Sequence, residues 1–136
     1  MIRARVLIAD DHPFVLEGLV NILKDKFEVV AAVTDGSLLV EAASRLRPDI
    51  IVTDISMPGL NGIEAFQQLK AAGSEAKVIV LTLHANAEIA AKLIASGVSG
   101  FVMKLRAARE LVIAVDEVLM GRTYLTPGLT MDRETD

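Results

Sequence analysis

The chain's 136 residues suit one domain, and its 52% hydrophobic content, mostly alanine and aliphatic residues, is enough to fill one compact core. Fourteen Lys and Arg against 18 Asp and Glu give a net charge of −4, which argues against this segment gripping a nucleic-acid backbone; the lack of cysteine excludes disulfides and thiolate metal sites. The basic start, Met1 to Arg5, leads into an apolar run that meets Asp10 and Asp11 too early for a signal-peptide core, and no stretch approaches a span of ~20 apolar residues, so a soluble, cytoplasmic protein is expected.

Val6 to Ala9 reads as a buried strand. Pro13 stands where a helix can begin, and Leu16, Leu19, Val20 and Leu23 share one helical face. Phe27 to Val33 is a second strand, closed by the turn residues Asp35 and Gly36; Ser37 is placed to cap a helix running to about Leu46. Pro48 and Asp49 separate it from a third strand, Ile50 to Thr53, and a loop over 56–62 precedes a helix through Leu69. Val78 to Leu81 is the fourth strand, and a helix from about Ala87 to Ser96 ends at Gly97. Phe101 to Met103 is a short fifth strand, followed by a helix from about Ala107 to Met120, stopped by Gly121.

Five continuously apolar strands, each followed by a helix, predict an α/β fold: an open, doubly wound five-stranded parallel sheet with helices on both faces. Residues 1–121 form the expected domain, and 122–136, polar and turn-rich, a linker or frayed end. The 16 residues after Met120 are too few for a DNA-binding domain, so any output of that kind is expected outside them.

Chemistry in this architecture sits at the carboxyl ends of the strands. Strand one delivers Asp10 and Asp11 there, strand three Asp54, strand four Thr82 and strand five Lys104. Each alone is ordinary: an acidic pair caps a helix, a threonine bonds local backbone, a lysine is solvated. Their coincidence at one sheet edge is not. Carboxylates brought close repel one another unless a cation is supplied, and no His or Cys ligand is expected among them, which points to a hard metal bound through oxygen. Oxygen donors of this kind suit Mg²⁺, and a carboxylate can attack phosphorus to give an acyl phosphate.

These residues stand in recognisable strings: Asp-Asp-His-Pro at 10–13, Asp-Ile-Ser-Met-Pro-Gly-Leu-Asn-Gly at 54–62, Leu-Thr-Leu-His at 81–84 and Ser-Gly-Phe-Val-Met-Lys at 99–104. Over about residues 3 to 126 the sequence resembles the receiver domains of two-component response regulators, with the flavodoxin-like, CheY-like (βα)5 fold. Glu-Gly-Leu at 17–19, His84 and Gly-Arg-Thr-Tyr-Leu-Thr-Pro at 121–127 are similar to the NarL/FixJ (LuxR-type) subfamily, whose output is usually a helix-turn-helix domain.

The resemblance implies a phosphorylation-dependent switch rather than an enzyme in the usual sense, with self-assisted phosphotransfer and autodephosphorylation. Asp54 would accept the phosphoryl group from a histidine kinase or phosphotransfer protein. Asp11 and Asp54 would hold Mg²⁺ directly, Asp10 through water, and the Ser56 backbone carbonyl would add a ligand. Thr82 and Lys104 would contact phosphoryl oxygens, with Thr82 and Phe101 as the switch pair. Ser56 and His84 would tune attack by water, and Met57-Pro58-Gly59 would line the metal. A homodimer through the first and last helices is implied as a possibility, DNA is reached only through an output domain, and no membrane is involved.

Leu105 stands where many receivers have proline, so the usual cis peptide is not expected, and Arg106 and Arg109 place positive charge at a helix start, an unfavourable end. On the last helix, Leu111, Ala114, Val115 and Val118 face the core, leaving Ile113 and Met120 outward. His12 reads as a helix-start residue, and Phe101 equally as a plain core aromatic. Two other readings stay open at this point: a hydrolase with an aspartate nucleophile, which would need a second acid where Ser56 stands, and an interaction module that never cycles phosphate.

Overall fold

The computed structural model describes residues 2–57, 62–83 and 86–127. Strands β1 (Arg5–Ala9), β2 (Glu28–Val33), β3 (Ile50–Asp54), β4 (Lys77–Thr82) and β5 (Gly100–Met103) alternate with helices α1 (Pro13–Leu23), α2 (Gly36–Leu46), α3 (Gly62–Ala71), α4 (Ala87–Ala95) and α5 (Ala107–Leu119). With a two-residue strand, β6 (Tyr124–Leu125), they form a parallel sheet ordered β2-β1-β3-β4-β5-β6.

The apolar runs explain the layering. Every residue of β3 is buried, so that strand needs cover on both faces. Successive side chains of a strand point to opposite faces and feed two cores. Leu7, Ile51, Val80 and Phe101 pack on one side with Leu39 of α2, Phe66 and Leu69 of α3, and Leu93 of α4. Ile8, Val52, Leu81 and Val102 pack on the other with Leu16 and Leu19 of α1 and Leu111 and Val115 of α5. As the helical period predicts, Ala114 and Val118 are also buried, while Ile113 and Met120 are exposed.

The winding reverses between β1 and β3: the chain runs outward from β1 to β2, then crosses back to β3 and onward. Such a switch point opens a crevice at the carboxyl ends of those two strands. Asp10 and Asp54 stand on its two sides.

Two local expectations are corrected. Asp35, not Ser37, caps α2: its Oδ1 accepts the Leu38 N–H at 2.8 Å, and a carboxylate suits a helix N-terminus better than a hydroxyl. The residues after 121 are not all linker or frayed end. Tyr124 and Leu125 pair with Gly100 and Phe101, through the Tyr124 N–H to the Ser99 carbonyl and the Thr126 N–H to the Phe101 carbonyl, both 3.0 Å. These bonds cover an edge of β5 that would otherwise present unpaired polar groups.

Close strand approach sets one further requirement. A Cβ on buried Gly100 would lie 2.9 Å from Ile79 Cγ1 and 3.3 Å from its Cγ2, deep in the core. We expect Gly100→Ala to lower stability by about 1–3 kcal/mol, the usual cost of overpacking. Urea unfolding would show a lower midpoint at unchanged slope; an unchanged midpoint would contradict this packing.

Candidate functional site

The registers bring the strand ends together. Ala9 pairs with Thr53, Asp54 with Leu81 and Thr82 with Met103, so residues at or just past these positions meet along one edge. Asp10 is fully buried, Asp54 is 6% exposed and Thr82 7%, far below what carboxylates at a solvated turn would show.

Lys104 ties the edge together. Its Nζ is 2.8 Å from Asp10 Oδ2 and 3.0 Å from Asp54 Oδ2, bridging the two acids. Burial works to lower the pKa of this ammonium, but its contacts with Asp10 and Asp54 outweigh that and hold it above the ordinary 10.5. Asp54 Oδ1 accepts the Ser56 N–H at 3.3 Å, and Asp10 Oδ1 accepts the His12 N–H at 2.9 Å, which folds the acidic turn back onto β1.

Ligand atoms of Asp10, Asp11, His12 and Asp54 all lie within 4.8 Å of one another. Two oxygens in this group are buried without a directed hydrogen bond, Asp10 Oδ2 and Asp11 Oδ1. The first has the Lys104 ion pair; the second has the His12 ring at 3.0 Å, which balances charge only when protonated. Three carboxylates and one ammonium leave negative charge unbalanced in a partly dry hollow. These donors fit a hard divalent cation.

The structure therefore brings together Asp10, Asp11, Asp54 and Lys104, with Thr82 buried at the same edge. Phe101 is 1% exposed within the core beside Val80, so its ring is inward. His84 and residues 58–61 lie outside the described residues. His12 does precede α1 as expected, yet its side chain makes no cap bond, and its ring turns to the acids instead. Its place beside two aspartates was the signal for that second role. A separate cavity lined by Arg47, Asp49, Gly73 and Lys77 opens at the opposite ends of β3 and β4, remote from these groups.

Comparison with known proteins gives the family and the fold. Residues 6–116 match the family model described as the response regulator receiver domain. The transcriptional regulatory protein DegU of Brevibacillus brevis is 36% identical over 130 residues, which are 94% of this chain and 55% of that protein. A LuxR-family two-component response regulator from Aurantimonas sp. SI85-9A1 superposes with a TM-score of 0.88 at 32% identity, covering 93% of this chain and 92% of that one. The isolated receiver domain of RcsB from Salmonella enterica serovar Typhimurium, solved with the phosphomimetic BeF3−, gives 0.83 at 30% identity, covering 93% and 94%. The chain spans about 55–62% of the length of the curated relatives it matches.

Removing the Lys104 ammonium would leave Asp10 and Asp54 facing each other in a buried site. We expect Lys104→Met to cost about 3–5 kcal/mol in metal-free protein, as for other broken buried pairs, and excess Mg²⁺ to restore part of it. Because the folded-state pKa lies above the unfolded value, the lysine's contribution is complete below about pH 10.5 and is lost as pH rises through the folded value. Chemical unfolding from neutral to alkaline pH checks both: wild type should lose stability in that window through this group, and the variant should lack that component.

Proposed function

The chain belongs to the response regulator receiver family, and from that membership we propose that Asp54 accepts a phosphoryl group in a Mg²⁺-dependent reaction. The family makes it a regulatory switch of two-component signalling rather than an ordinary enzyme. The observation that carries the assignment is the Lys104 ammonium, 3.0 Å from Asp54 Oδ2 and pinned by Asp10 on its other side.

Asp11, Asp54 and the Ser56 carbonyl would hold the cation, with Asp10 behind them. Bound there, Mg²⁺ supplies positive charge to the oxygens of the phosphoryl group in flight. An Asp54 carboxylate oxygen attacks phosphorus, the bond from phosphorus to the donor breaks, and the donor leaves with its electron pair. Lys104 releases Asp54 and pairs with a phosphoryl oxygen, while the Thr82 hydroxyl donates to another. Little covalent work falls to the other residues; their part is placement and charge. Hydrolysis of the acyl phosphate then resets the switch.

Thr82 and Phe101 lie on adjacent strands, which supports their reading as the pair that carries the phosphorylated state outward. Val80, two residues before Thr82, pairs with Phe101 directly. Phosphate would shift a pre-existing equilibrium rather than create a new fold.

We further propose that residues 1–121 together with the short strand β6 form the receiver unit, and that the segment carrying β6 leads on to an output. The relatives' names mark several as transcriptional regulators, and we read the output as a helix-turn-helix DNA-binding domain. A histidine kinase or phosphotransfer protein would supply the phosphate, and α1 with α5 would form a homodimer surface. Among the described residues no helix is long and apolar enough to cross a membrane, which is consistent with action in the cytoplasm.

Acetyl phosphate with Mg²⁺ should add the mass of one phosphoryl group, seen by intact-protein mass spectrometry. Chelation of the metal or Asp54→Asn should abolish the shift. Its persistence in Asp54→Asn would overturn the assignment.

A further inference from the structure

Glu110 is a buried carboxylate that the phosphoryl chemistry does not use. It lies in the first turn of α5, only 8% exposed. Its Oε1 accepts two hydroxyl hydrogens from the C-terminal segment, from Tyr124 at 3.0 Å and from Thr126 at 2.9 Å. Arg106 Nη1 stands 3.7 Å from its Oε2 and donates to the Pro127 carbonyl at 2.9 Å. Burial and the bond to Glu110 push the Tyr124 phenol up to about 12, so the hydroxyl keeps its proton and stays a donor.

Thr126 is the centre of this cluster. It is 2% exposed, and its Oγ1 accepts the Met103 N–H at 2.8 Å while donating to Glu110. Its own N–H goes to the Phe101 carbonyl at 3.0 Å. Met103 is the covalent neighbour of Lys104. The departing chain thus pairs along β5, the strand of Phe101, and Thr126 holds its last residue, Met103, directly before the short 3-10 turn that Lys104 opens.

We propose that Tyr124–Pro127 is a latch that positions Lys104, and that its seating is coupled to the state of the Asp54 site. Glu110 and Thr126 act as positioning residues, through the Met103 backbone. The proposal rests on the reading of Asp54 and Lys104 given above. With the latch seated, the end of β5 is fixed and Lys104 bridges Asp10 and Asp54. A cation or phosphoryl group at Asp54 draws that lysine away from the bridge, which strains the Met103–Thr126 bond. The segment leads out of the sheet, so its release changes what the chain beyond it can contact. Coupling of this kind is reciprocal: if release of the latch raises the affinity for the cation, the bound cation favours release by the same factor.

The full chain tests this in two arms. In metal-free protein, NMR would follow amide exchange at residues 103, 124 and 126 and the Lys104 Nζ resonance. Thr126→Val keeps shape but strands the Met103 N–H and removes one donor to Glu110. It should speed exchange at these amides about tenfold, the effect of losing one net hydrogen bond, and shift the Lys104 signal, while β1 and β3 amides stay unchanged. Thr126→Ser should restore both readouts, and Glu110→Gln should show a partial effect.

In the second arm Mg²⁺ is titrated. Saturating Mg²⁺ should speed exchange at residues 124 and 126 of the wild type about fivefold, the factor by which release of the latch raises the affinity for the cation. Wild-type exchange and an unmoved Lys104 signal in Thr126→Val would overturn the latch, as would exchange at residues 124 and 126 of the wild type that saturating Mg²⁺ leaves unchanged. A chain that binds no Mg²⁺ or accepts no phosphate would instead sink the reading of the site. The metal-free arm would then decide the latch alone.

Discussion

One ammonium set among three carboxylates is the constraint on which the rest of the structure depends. Asp10, Asp11 and Asp54 converge within a few ångströms, and the Lys104 bridge compensates only part of their charge. Held in a partly dry hollow, the acids cannot relax apart, because each is fixed at the end of a strand buried in the sheet. That stored imbalance is what makes the site receptive to a cation and to phosphoryl oxygens that bring their own partners. The fold supplies the rigidity: β1, β3 and β4 are sealed between two helical layers.

Stiffness is not uniform across the sheet. β1 and β3 have long strands on both sides, whereas β5 is four residues long and bordered outwardly only by the two residues of β6. The strand that carries Phe101 and runs into Lys104 is therefore the least supported of those that build the site. Its neighbours are the segment leaving the domain and the buried acid Glu110. A change at the acidic edge has its shortest route to the rest of a longer protein through that corner, since free energy differences are most easily expressed where the fewest contacts oppose them.

Much of this was legible before any coordinates. Continuous apolar runs identified the strands because burial on both faces leaves no alternation to confuse them. The site was legible for the same reason: once the strands are known, the residue after each is known, and Asp10, Asp54, Thr82 and Lys104 fall at one edge. What escaped depends on contacts that local pattern does not encode. β6 is too short for a period and lies between turn residues Gly121 and Pro127. No local pattern marks Glu110 as buried, and its partners stand 14 and 16 positions downstream. Asp35 displaced Ser37 as the cap of α2 through geometry shared by two residues that both suit the task. The His12 ring turned toward the acids where sequence suggested only a helix start.

The role of the acidic edge turns most directly on where a divalent cation goes. A crystal structure of this chain with Mg²⁺ and beryllofluoride should show the ion on the Asp11 and Asp54 carboxylates and the Ser56 carbonyl. The fluoride group should sit on Asp54, with Lys104 turned from the Asp10–Asp54 bridge to meet it. A cation bound elsewhere, or a fluoride-bearing Asp54 with Lys104 still bridging the two acids, would contradict it.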